Sequence, residues 1–137
     1  MNERRFNTPL EAEAAFYAAF AKRDLDAMMA VWADADDVVC VHPVDTPRVG
    51  VAAVREGWTA VLRNEREITF AVQEKHRSDT DTLAVHVVLE HIRIRGRSQP
   101  PVASTNVYRR TESGWRMILH HASPAPEATP AATTVLH

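Results

Sequence analysis

The chain has 137 residues, the length of one domain and enough to bury a core without disulfides or metal. Sixteen basic against eighteen acidic side chains leave a net charge of -2 and a pI of about 6.4, with the signs interspersed. That balance excludes the basic footprint of a nucleic-acid binder and the charged patch of a membrane-surface protein.

A lone cysteine, Cys40, cannot form an internal bridge. Neither a leader pattern nor a run of about eighteen apolar residues is present, so the expected setting is the cytoplasm. Met1 to Asn7 reads as a polar arm. Thr8-Pro9-Leu10-Glu11 is a capping-box pattern with proline at the first helical position, and Ala12, Ala15, Phe16, Ala19 and Phe20 recur at helical spacing behind it. Asp24 is placed to cap a second, shorter helix whose buried side is Leu25, Met28, Met29, Val31 and Trp32. Val38 to His42 is a β-branched run stopped by Pro43, a strand on which Cys40 and His42 share a face. Gly50 then leads into a third helix with Val51, Val54, Trp58, Val61 and Leu62 along one stripe.

The second half reads as strands. Glu67 to Arg77 and Thr82 to Ile94 form a hairpin about the turn Asp79-Thr80-Asp81. Placing Arg93 and Arg95 toward solvent puts Ala84, His86, Val88, Glu90 and Ile92 on the opposite face, so Glu90 is expected to point at the helices. Val102 to Arg109 is a third long strand with Ser104, Asn106 and Tyr108 on one face. Gly114 to Pro124 is the last strand. Strict alternation along it puts Trp115, Met117, Leu119, His121 and Ser123 on one side and Arg116, Ile118, His120 and Ala122 on the other. Residues 1–124 thus form one domain, and 125–137, rich in Ala, Pro and Thr, read as a solvated tail.

Helix, helix, strand, helix and then hairpin-linked strands give an α+β layer with one sheet face on the helices. In that order Phe16 to Asp24 with Trp32, Cys40-Val41-His42-Pro43, Gly50 with Trp58, Thr105-Asn106-Val107-Tyr108, and Gly114-Trp115 through His121-Ala122-Ser123-Pro124 resemble the SnoaL-like branch of the nuclear transport factor 2 superfamily. The resemblance implies a cone-shaped roll, about three N-terminal helices on a curved, mostly antiparallel sheet enclosing a cavity. It also implies a homodimer through the outer sheet face. It leaves function open, because the superfamily holds isomerases, dehydratases and non-catalytic assembly modules.

His42 before Pro43 stands where ketosteroid-isomerase-like members carry an aspartate base, and imidazole can accept a proton near neutral pH. The oxyanion tyrosine of those members falls on Phe16, which cannot donate a hydrogen bond; Tyr17 is about 100° round the helix. The expected site is therefore His42 as base, with Asn106, His121 and Glu90 as its catalytic companions and Phe16, Trp32, Cys40, Trp58, Tyr108, Trp115 and Ser123 lining a pocket for a small apolar organic ligand. A direct His42 and Glu90 pair reads either as an acid/base couple or as a structural ion pair. Seven histidines lack metal-ligand spacing, and no cofactor motif is present, so neither a metal nor a cofactor is expected. Two readings stand: isomerase- or dehydratase-type proton transfer, or a non-catalytic ligand-binding or assembly module.

Overall fold

The computed structural model describes residues 4–63 and 66–126. Helix α1, Pro9–Lys22, starts where Thr8 Oγ1 accepts from the Glu11 amide at 3.1 Å, while Glu11 Oε1 accepts from the Asn7 amide at 2.9 Å. Arg23, at φ 55°, ends it in the left-handed conformation. The next residue, Asp24, caps α2, Leu25–Val31, by accepting from the Ala27 amide at 3.0 Å. Helix α3, Val51–Leu62, follows Gly50. The strands are β1 Val39–Val41, β2 Arg48–Val49, β3 Ile68–Asp79, β4 Leu83–Ile94, β5 Arg97–Ser98, β6 Val102–Thr111 and β7 Gly114–Pro124.

They form one sheet in the order β2-β1-β7-β6-β4-β3, with β5 paired to β4. β1 runs parallel to β7, and the other pairings are antiparallel. Three helices cover one face, as the α+β reading expects. Phe16 and Phe20 of α1 meet Trp58 of α3 edge-on at 5.5 and 4.9 Å, contacts worth about 1 kcal/mol each beyond the area they bury. The expected face of β4 is the buried one, and Glu90 is 2 % exposed on it.

Two local expectations change. The N-terminal arm is not simply polar: Phe6 is buried, its carbonyl accepts from the Trp115 amide at 2.8 Å, and the Arg4 and Arg116 guanidinium groups lie 5.0 and 5.1 Å from its ring. Gly114, at φ 103°, is required there, since a Cβ would come 2.7 Å from the Phe6 carbonyl oxygen. The expected tail lies, from residue 127 onward, outside the described residues.

The second change reorders the last strand. Val107 pairs with Leu119 but Tyr108 pairs with Met117, so Ile118 is an extra residue in a β-bulge. Residues on either side of the bulge exchange faces relative to strict alternation. Met117 stays inside, yet His120, opposite Asn106, is also inside and 2 % exposed, whereas Leu119 moves to the outer face. His121 and Ser123, expected to face the helices, are exposed on the outer side. A second bulge, at Lys75 of β3, likewise changes the parity of its last residues and brings Asp79 opposite inward-facing Ala84.

Candidate active site

β1 carries Cys40 and β7 carries His120 as parallel partners, and His42 is the next inward position beyond Cys40. His42 Nε2 lies 3.6 Å from Cys40 Sγ, and its ring meets the Trp58 indole edge-on at 4.7 Å. Trp58 in turn lies 6.0 Å from the His120 ring, and Phe16 lies 4.9 Å from it. The approach of α3 to His42 depends on Gly57. A Cβ there would stand 2.5 Å from Arg48 Cδ and 3.3 Å from His42 Nε2. Two imidazoles, one thiol and two large aromatic rings therefore share one wall of the interior.

A hydrogen-bond network continues from His120. Its Nδ1 is 2.6 Å from Asn106 Oδ1, and Asn106 Nδ2 donates to the Tyr17 oxygen at 3.0 Å and to Glu13 Oε2 at 3.2 Å. Tyr17 donates to Glu90 Oε2 at 2.6 Å, and Tyr108 donates to Glu13 Oε2 at 3.1 Å. His86 Nδ1 is 3.2 Å from the same Glu13 oxygen, with its Nε2 3.2 Å from Asp79 Oδ1. That last approach is a product of the β3 bulge. Buried polar groups need partners, and helix α1 supplies them to the sheet through Glu13 and Tyr17.

The environment sets the charges. Burial would raise the Glu13 carboxyl, but the hydrogen bond and charge of His86, with Asn106 and Tyr108, outweigh it and hold Glu13 below the ordinary range, ionised. Burial would lower His86, but the hydrogen bond and charge of Glu13, with Asp79, outweigh it and raise its pKa, favouring the protonated ring between two carboxylates. Glu90 is raised, first by burial and then by the Glu13 charge, against the Tyr17 hydrogen bond. Burial lowers His42, with Asp45 opposing and Arg48 adding to the fall. Burial also pushes His120 down to about 3, helped by His42 and His121, and pushes the Cys40 thiol up to about 12. Both imidazoles of the aromatic wall are therefore neutral at pH 7, and the thiol is protonated.

Of the residues singled out from the sequence, His42, Asn106, Glu90, Phe16, Cys40, Trp58 and Tyr108 all lie in this interior. The direct His42 and Glu90 pair does not form; Glu90 binds Tyr17, and His120, Asn106 and Tyr17 stand between the two. His121 and Ser123 are outside because of the bulge at Ile118, and His120 takes the inward place. Trp32 and Trp115 are buried but make no ring contact with the His42 group among the described residues. Trp32 instead walls a surface groove of about 810 Å³ with Met29, Val51, Arg109, Glu112 and Arg116. Among the described residues no group of three or more His, Cys, Asp or Glu side chains could hold a metal ion, and no helix is long and apolar enough to cross a membrane.

Sequence reasoning missed Glu13, turned His120 outward, discounted Tyr17, and placed His86 on the inner face without giving it a role. Glu13 and Tyr17 are four residues apart on one edge of the apolar stripe of α1. Four polar residues expected on the inner sheet face, His86, Glu90, Asn106 and Tyr108, implied helical partners at that edge.

Residues 10–127 match the family of SnoaL-like domains. Among solved structures, a proposed calcium/calmodulin-dependent protein kinase type II association domain from Thiobacillus denitrificans is 44% identical, with a TM-score of 0.85 over 90% of this chain and 99% of that one. A proposed dehydratase of the NTF2-like family from Streptomyces avermitilis is 32% identical, with a TM-score of 0.76 over 85% of this chain and 92% of that one. The F-box protein SKIP8 of Arabidopsis thaliana is 25% identical over 108 residues, 79% of this chain and 46% of that protein, so the chain spans less than half the length of this curated relative.

Proposed function

This chain belongs to the family of SnoaL-like domains, and from that premise and its interior geometry we propose proton-transfer chemistry on a small, largely apolar organic ligand. The observation that carries the reading is His42 held edge-on against Trp58, whose indole also neighbours a second imidazole, His120; burial lowers the pKa of both rings and favours their neutral forms. A neutral imidazole in an apolar wall is a base without a competing charge. His42 takes a proton from a carbon next to a carbonyl of the ligand. As imidazolium it returns that proton to another carbon in an isomerisation, or to the departing hydroxyl in a dehydration. The Trp58 indole N–H, buried near the Cys40 thiol without a well-formed hydrogen bond, is the donor assigned to the ligand's oxygen in this reading. Asn106, with both amide hydrogens and its oxygen engaged, acts through His120. The dehydratase relative supports the reaction class.

The test uses a ligand recovered from the purified protein by mass spectrometry of the denatured chain. His42→Ala abolishes its turnover and leaves the circular dichroism spectrum unchanged; undiminished turnover in that variant sinks the reading.

A second reading, homodimeric assembly through the outer sheet face, is favoured by the half-exposed row of Val85, Val87, Leu89, Val107 and Leu119 and by the association-domain relative. Sedimentation equilibrium then gives twice the 15.3 kDa chain mass, and Val87→Glu returns it to one. A wild-type monomer at micromolar concentration contradicts it.

A further inference from the structure

We infer that Glu13 and Asn106 are positioning residues that hold His120 with its proton on Nδ1, so that a bare Nε2 acceptor serves a ligand bringing a hydroxyl or N–H donor. The inference rests on the reading of the interior as a small-molecule site and specifies which ligands it takes.

The argument is one of donor and acceptor counting. Glu13 Oε2 lies within 3.2 Å of His86 Nδ1, Asn106 Nδ2 and the Tyr108 hydroxyl, and an ionised carboxylate can only accept. Tyr17 spends its one hydrogen on Glu90 at 2.6 Å, so toward Asn106 it too can only accept. Two acceptors on the same side fix the Asn106 amide with its NH2 toward them. The reversed amide would set a carbonyl oxygen 3.2 Å from a carboxylate oxygen, lone pair against lone pair. Asn106 Oδ1 is thereby turned to His120, and a contact of 2.6 Å requires a hydrogen on His120 Nδ1. A neutral imidazole carries one ring proton, so Nε2 keeps its lone pair. It lies on the edge of the ring away from Asn106, and that ring packs against Phe16 and Trp58, the latter also in contact with His42. A ligand that brings only acceptors leaves that nitrogen unmatched, which discriminates against it.

Full-length protein labelled with 15N at histidine gives the test at pH 7. His120 is assigned by its disappearance in His120→Gln. Two-bond proton–nitrogen spectra of the wild type show a proton-bearing Nδ1 and a pyridine-like Nε2. Asn106→Leu and Glu13→Gln, which remove the acceptor and the amide's orienting charge, give mixed tautomers. Phenol shifts the Nε2 resonance and anisole does not. A proton on Nε2 in the wild type, an unmixed Nδ1–H tautomer in folded Asn106→Leu and Glu13→Gln, or equal shifts with phenol and anisole overturns the inference. The wild-type and Asn106→Leu spectra decide even where Glu13→Gln does not fold. Because the tautomer is read without turnover, a failure of His42 as base would leave these spectra unaltered.

Discussion

His120 is the residue whose surroundings determine most. It is buried, hydrogen-bonded among the described residues through a neutral partner, Asn106, and pushed down to about 3 by burial, whereas an unfolded histidine titrates near 6.5. The sign follows from proton counts. Below pH 6.5 the unfolded chain binds a proton at this position and the folded chain does not, so stability falls as pH falls through that range. His42 adds a loss of the same sign, and His86, raised, gives a gain below 6.5. Urea melts of the wild type and His120→Gln between pH 7 and 5 separate the contributions. The variant's stability depends less steeply on pH by up to about 1.4 kcal/mol per pH unit. Parallel pH dependences in the two proteins would show that His120 takes up its proton inside the fold. At this scale much of the interior was readable: His42, Cys40, Glu90, Asn106, Tyr108, Phe16 and Trp58 are inside as expected. Glu13 was not, because a glutamate beside an apolar helix stripe is ordinarily solvated.

At the scale of elements, the helices were legible because their caps are local chemistry: Thr8 and Asp24 each accept from an amide three residues on. The last strand was not. From Trp115 to Ala122 each alternating face carries apolar and polar residues, Trp, Met, Leu and His against Arg, Ile, His and Ala, so period two does not say where the period breaks. Pairing with β6 decides, and the single unpaired residue Ile118 exchanges His121 for His120. Deleting Ile118 removes the extra residue without changing the facing of Met117 or His120. The deletion variant is expected to fold, at a cost of about 1–2 kcal/mol from lost local twist and packing, and to keep the Asn106–His120 hydrogen bond. Native-like amide spectra with the His120 Nδ1 proton retained would bear this out; a collapsed spectrum would mean that the bulge itself is required for the strand to curve.

The whole molecule divides its labour between two sheet faces. The inner face, under the three helices, collects the two neutral imidazoles, the protonated thiol and the Glu13–His86 pair. The outer face presents half-exposed aliphatic side chains with His121 and Ser123 beyond them. The fold family was legible from the order of elements and the scattered matches along the chain, since layer architecture depends on pattern more than on any one residue. The chemistry was less legible, because it depends on which of two adjacent histidines points inward. Incubation in D2O with a β,γ-unsaturated cyclic ketone, followed by mass spectrometry of the ketone, tests the central claim most directly. With wild-type protein, deuterium enters the carbon next to the carbonyl faster than in buffer, and His42→Ala returns the rate to the buffer value. Equal incorporation with the wild type and with His42→Ala would contradict it.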